Sequence, residues 1–158
     1  MGFPFDLAAC VDEALALAGH EADSKGIIIR SHLADTKVFA DEAQIADAVY
    51  RVLSNAIACS RHGSEVEVQL RIANEAFAEI EVCGYVPDLG AQWARIERAE
   101  QSRMDAAAEL FFSARPGDSA LSMAVAYRML QLNGGLLVAD ATREGACVKM
   151  TIPRLRSG

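Results

Sequence analysis

Four cysteines, Cys10, Cys59, Cys83 and Cys147, and three histidines, His20, His32 and His62, are the side chains best suited to hold a metal or carry a proton. Their spacing argues against both. No two cysteines make a C-x-x-C pair, and no histidine stands at a ligand interval from one, so neither zinc nor a disulfide is expected. Each cysteine lies in an apolar pattern, where a small buried thiol is the plain expectation. Ser54, Ser60 and Ser122 have no histidine–carboxylate pair arranged beside them, so no nucleophile emerges. Asp47 and Arg51 are one helical turn apart, the spacing of a surface ion pair, and Asn55 follows one turn later as a polar residue at a helix edge. Gly117 after Pro116 reads as a turn.

The elements that would position these groups follow from apolar periodicity. Leu7, Val11, Leu15 and Ala18 repeat at helical spacing, so residues 6–24 form an amphipathic helix with Asp6 as N-cap and a stop at Gly26. Strands follow at 27–33 and 36–40. Asp41 caps a second helix with Ile45, Val49, Val52, Leu53, Ala56 and Ile57 on one stripe, and Gly63 ends that segment. Val66, Val68, Leu70 and Ile72 alternate with polar residues, as do Ala78, Ile80 and Val82, giving a hairpin with one buried and one wet face. One or two helices are expected between Asp88 and Phe112, where Trp93 and Ile96 are either core or an interface anchor. A loop runs from Ser113 to Ser119. Leu121, Val125, Met129 and Leu132 make a third main helix, ended by Asn133-Gly134-Gly135, and two strands close the chain, at 136–139 and 148–152. The expected fold class is an α/β, or α+β, two-layer sandwich, a mixed and mostly antiparallel sheet with helices on one face.

Composition sets the outer bounds. The 158 residues suit one domain, 1–158, and carry enough apolar content, 52%, to build a core. The net charge of −7 repels phosphate backbones, so nucleic acid is not an expected partner. The Arg154-Leu155-Arg156 tail is read as a solvated terminus. No apolar run approaches the roughly 20 residues of a membrane helix, and the first residues lack the basic start and apolar stretch of a signal peptide. A cytoplasmic protein without membrane contact is expected.

Two stretches resemble the GHKL ATPases, the group that holds the histidine kinases. Gln44 to Ser60 is similar to their N-box helix: Asn55-Ala56 falls on the second Asn-Ala pair, Arg51 where the first asparagine usually sits, and Ala58 where lysine usually sits. Phe111-Phe112, Leu121 and Ala124, Asn133-Gly134-Gly135 and Met150-Thr151-Ile152-Pro153 follow the outline of the phenylalanine turn, glycine box, H-G-G helix end and closing strand of histidine kinases. Phe5-Asp6-Leu7 with Lys25-Gly26-Ile27 looks like their opening helix. The resemblance implies a Bergerat-type ATP-binding fold over the whole chain, with a lid-equivalent region at about 88–119.

It also implies a site. An asparagine at position 55 would coordinate the magnesium that bridges the phosphates, making Asn55 a metal- and nucleotide-binding residue. Arg51 would fill the pocket or meet a partner carboxylate. The family's adenine-binding aspartate, in D-x-G-x-G, aligns with Gly84, and the two glycines with Val86 and Asp88; Ala120 and Ser122 replace two glycines of the later box. Gly84, Asp88 and Gly117 are then remnants of a nucleotide pocket, with Asp88 and Asp118 adding unfavourable charge near a triphosphate. His20 and His62 lack the sequence context of a phosphoacceptor. The expectation drawn from this resemblance is a degenerate copy that binds little or no ATP and acts by contact with a histidine-bearing dimerisation or phosphotransfer domain, or with a response regulator. The alternative is a working ATP- and magnesium-binding catalytic domain that feeds phosphate to a histidine elsewhere.

Overall fold

A computed structural model of the chain describes residues 2–84, 118–141 and 146–155. The element order is β1 (Phe3–Asp6), α1 (Leu7–Ser24), β2 (Ile28–Leu33), β3 (Lys37–Ala40), α2 (Glu42–Cys59), β4 (Glu65–Ile72), β5 (Phe77–Gly84), α3 (Asp118–Leu132), β6 (Leu136–Ala141) and β7 (Ala146–Pro153). The expected region of helices around Trp93 and Ile96, the turn at Phe111-Phe112, Asp88 and Gly117 lie outside the described residues. So does most of the lid-equivalent region; the loop expected to reach Ser119 gives way to α3 at Asp118.

Caps fix the helices where the sequence places them. The Asp6 carboxylate accepts the N–H groups of Ala8 at 3.0 Å and Ala9 at 3.4 Å, and Asp41 accepts that of Gln44 at 3.1 Å. Each satisfies donors that the first helical turn leaves open. At the other end of α1 the N–H of Ile27 reaches the carbonyl of Ala22 and that of Gly26 reaches Asp23. The same pair of bonds closes α3, from Gly135 to Leu130 and from Gly134 to Gln131, with φ of 75° at Gly134. Helix α2 ends at Cys59, earlier than the Gly63 stop, and Lys25 from the α1 terminus caps it. Its ammonium donates to the carbonyls of Ile57 at 3.1 Å and Ala58 at 2.6 Å, a cation placed at the negative end of the helix dipole.

The main sheet has the order β2-β4-β5-β7-β6, with β2 parallel to β4 and every other pair antiparallel. Helix α2 lies between α1 and α3 and against β5. Val66, Val68, Leu70, Ile80, Val82, Val148, Met150 and Ile152 point into this helix layer and are buried with Leu7, Val11, Ile45, Val49, Leu53 and Leu130. Burying each large side chain contributes roughly 1.5–3 kcal/mol. The opposite face is charged: Arg71 pairs with Glu79 at 2.9 Å and Glu81 at 3.3 Å, and Lys149 approaches Glu81 at 3.6 Å. The two-layer sandwich is the architecture expected from the sequence.

Three details differ. β1 was not expected; it pairs antiparallel with β3 in a separate two-stranded sheet, from Phe3↔Ala40 to Asp6↔Lys37. Its four residues contain Pro4 and are too short for periodicity to register. Ile72 continues the alternation of β4 but is exposed, since it lies at the strand's end beyond the helix layer. The buried stripe of α3 is Met123, Ala126 and Leu130, and Leu132 is 60% exposed. With apolar residues on several faces of α3, the sequence pattern alone did not fix which face turns inward.

Candidate functional site

Helix α2 sends polar side chains in three directions. Towards α1, the Tyr50 hydroxyl and the Ser54 hydroxyl both donate to the carboxylate of Glu21, Ser54 at 2.7 Å. The bond to Glu21, with burial behind it, raises the pKa of Tyr50. Towards α3, Arg51 Nε donates to Asp47 Oδ2 at 2.9 Å and its Nη1 donates to Ser122 Oγ at 3.2 Å. The one-turn ion pair read from the sequence is therefore extended into a link between two helices.

The third direction is inward. Asn55, one turn after Arg51, is 6% exposed, and its amide oxygen accepts the thiol of Cys59 at 3.9 Å. A carboxamide at a solvated helix edge needs no partner; a buried one costs free energy unless its lone pairs are used. Below it, Ser60 caps α2 and its hydroxyl donates to the carbonyl of Ala56 at 2.6 Å. Gly84, at the end of β5, lies directly under this last turn. A β-carbon there would stand 2.5 Å from Ser60 Oγ and 3.6 Å from the Ala56 carbonyl oxygen.

The structure thus brings Gly84 against the α2 turn that follows Asn55, and it ties Arg51 to α3. The sequence singled out Ser60 only as a nucleophile lacking partners; its role at Gly84 depends on the β5–α2 packing, which no spacing reveals. Glu21 was missed because it works through a contact between helices. His20, His32 and His62 are exposed and scattered.

The cysteines correct an expectation. Cys83 and Cys147 are joined by a disulfide across 64 residues, as register partners on β5 and β7. Sequence spacing could not anticipate it, because strand register alone makes the two neighbours. Cys10 is buried as expected, and burial, aided by Glu42 and Glu13, pushes its thiol up to about 12. Among the described residues one group has metal-ligand proximity, Glu81 with Cys83 and Cys147. No helix among the described residues is long and apolar enough to cross a membrane.

No protein-family model matches the sequence. No curated protein matches it either. Solved structures do match. The mycobacterial sensor histidine kinase MprB is 22% identical with a TM-score of 0.73, covering 99% of each chain. The catalytic domain of the histidine kinase ThkA, in a nucleotide-free form, is 15% identical with a TM-score of 0.78, covering 98% of this chain and 96% of that one. Full-length ShkA in complex with AMPPNP is 18% identical with a TM-score of 0.73, covering 99% of this chain and 32% of that one. The chain therefore has the fold of histidine kinase catalytic domains.

Proposed function

We propose that the chain is the catalytic-type domain of a two-component sensor kinase, taking a magnesium nucleotide beside Asn55 and Arg51 and passing phosphate to a histidine on another domain or chain, with a response regulator downstream. The observation that carries this reading is the burial of the Asn55 carboxamide on α2, at 6% exposure, where the resembling family holds its metal. The match to ShkA, whose structure contains the ATP analogue AMPPNP, supports the same ligand class. So does the overlap with the ThkA catalytic domain, over 98% of this chain and 96% of that one.

The residues present fit the phosphate end. An amide oxygen is a suitable hard donor for magnesium, and a guanidinium suits a phosphate. They fit the adenine end poorly: Gly84 carries no acceptor, and Ser60 Oγ stands where its side chain would begin. ATP would supply the phosphoryl group; Asn55 would orient the metal and Arg51 would neutralise phosphate charge from its link between α2 and α3.

That same Gly84–Ser60 contact favours a second reading, in which the domain binds little or no nucleotide and works through protein contact. Thermal unfolding with and without magnesium-ATP separates the two. Nucleotide at a hundred times its dissociation constant adds about 2.7 kcal/mol, or several degrees. A shift that disappears in Asn55→Ala supports the catalytic reading. No shift at millimolar magnesium-ATP or -ADP rejects it in favour of the second.

A further inference from the structure

We propose that Cys83 and Cys147 form a redox-active thiol pair that exchanges reversibly with low-molecular-weight disulfides of the glutathione type. The two residues face each other in the β5–β7 register with their Cα atoms 4.1 Å apart. They lie on the face of the sheet away from the helix layer: Val82 and Val148, their chain neighbours, point into the core, whereas Glu81 and Lys149, two positions away, share the charged outer face. Both are half-buried, so a small disulfide reaches them without the sheet opening.

The bond is not needed to hold the strands together. β5 and β7 are paired without a break from Phe77↔Pro153 to Gly84↔Ala146, and Ile80, Val82, Val148, Met150 and Ile152 fix them from the inner face. Opening the disulfide leaves the ladder and the core intact, which is what a reversible pair requires and a structural staple does not. The other two described cysteines are poor competitors. Cys10 is buried with its thiol pushed up to about 12, and Cys59 directs its sulfur at the Asn55 amide. The nearby Glu81 invites a metal reading, but its carboxylate faces Arg71 at 3.3 Å and Lys149 at 3.6 Å, and these cations oppose a third one.

The chemistry balances as two exchanges. One protein thiolate attacks a sulfur of the glutathione disulfide, forming a mixed disulfide and releasing one glutathione thiolate. The second protein thiolate attacks the protein sulfur of that mixed disulfide and releases the other. The protein loses two protons and two electrons, and one glutathione disulfide becomes two thiols. Because Cys83 immediately precedes Gly84, the closed pair ties the end of β5 to β7 directly beneath the last turn of α2. The inference stands whether or not the domain binds nucleotide.

The test equilibrates the whole chain in glutathione buffers of graded redox ratio, traps free thiols with an alkylating reagent in denaturant, and reads the intact mass. The expected result is a smooth conversion that removes two alkyl adducts together as the buffer becomes oxidising, with the same midpoint in a Cys10→Ser, Cys59→Ser variant and no paired loss in Cys147→Ser, where Cys83 stops at a glutathione mixed disulfide. A pair that stays wholly oxidised or wholly reduced across the series overturns the proposal. So does loss of the cooperative thermal transition on reduction, which would make the disulfide a structural staple.

Discussion

Ser60 Oγ occupies the space above Gly84, 2.5 Å from where a β-carbon would be. The hydroxyl is held there by its bond to the Ala56 carbonyl, so the last turn of α2 closes over the end of β5. Any acceptor for a purine amino group at position 84 must first displace it. Gly84→Asp is therefore expected to lower the melting temperature, and Ser60→Gly in the same chain to recover most of the loss. The paired variant gains an acceptor that discriminates adenine from guanine, about 1.5–3 kcal/mol or roughly ten- to a hundredfold. Calorimetric titration with ATP and GTP checks this: the native chain is expected to bind the two within a factor of ~10, and the paired variant to prefer ATP. An unchanged ratio in the paired variant means that the purine does not approach this strand end.

Asn133 joins the two ends of the helix layer. Its amide oxygen accepts the N–H of Asp41 at 2.8 Å, and its amide nitrogen donates to Gln44 Oε1 at 2.8 Å and to the Met129 carbonyl at 2.7 Å. The first residue of the α3 stop thus holds the start of α2. Asn133→Ala leaves three part-buried polar groups without this partner and is expected to cost about 1–3 kcal/mol. Urea unfolding measures it, and the m-value should stay fixed because the core is untouched.

What the sequence disclosed and withheld has a common physical root. The caps Asp6 and Asp41, the alternation in β4 and β5, and the stripe of α2 are local signals, and all of them appear in the structure. The disulfide, the Ser60–Gly84 closure and the Arg51–Ser122 link depend on packing between distant segments, which one chain read linearly does not encode. Asn55 and Gly84 were found through family resemblance, but only the fold shows that one is buried and the other lies beneath the turn that follows it. Asp88 and Gly117 lie outside the described residues.

The left-handed turn that ends α3 falls on Gly134, whereas Gly135 is required by contact. A β-carbon there would run into the Thr151 carbonyl of β7, a backbone atom that cannot rotate away. Gly135→Ala must separate α3 from the β6–β7 hairpin or bend β7. It is expected to destabilise by about 1–3 kcal/mol, as overpacking does. Gly19→Ala is the control: nothing lies within 4 Å of a β-carbon there, and alanine favours the α1 helix by roughly 1 kcal/mol. Thermal unfolding of the two variants should move in opposite directions.

Cys10 supplies a pH dependence whose sign is fixed by its burial. Its thiol is pushed up to about 12 in the folded chain, first by burial and then by Glu42 and Glu13. In the unfolded chain it ionises near its ordinary value of 9.0. The group's contribution to stability is therefore complete below that ordinary value and is lost as the pH rises towards the folded one, because only the unfolded state releases the proton there. Within the window the loss approaches about 1.4 kcal/mol per pH unit. Other groups also titrate there, so the measurement is a difference: urea midpoints of native protein and Cys10→Ala, followed from neutral pH upward. The variant is expected to start less stable, having lost a buried sulfur, and to fall less steeply above pH 9. Parallel slopes would mean that the thiol ionises in place and that water reaches the buried face of α1 at Cys10.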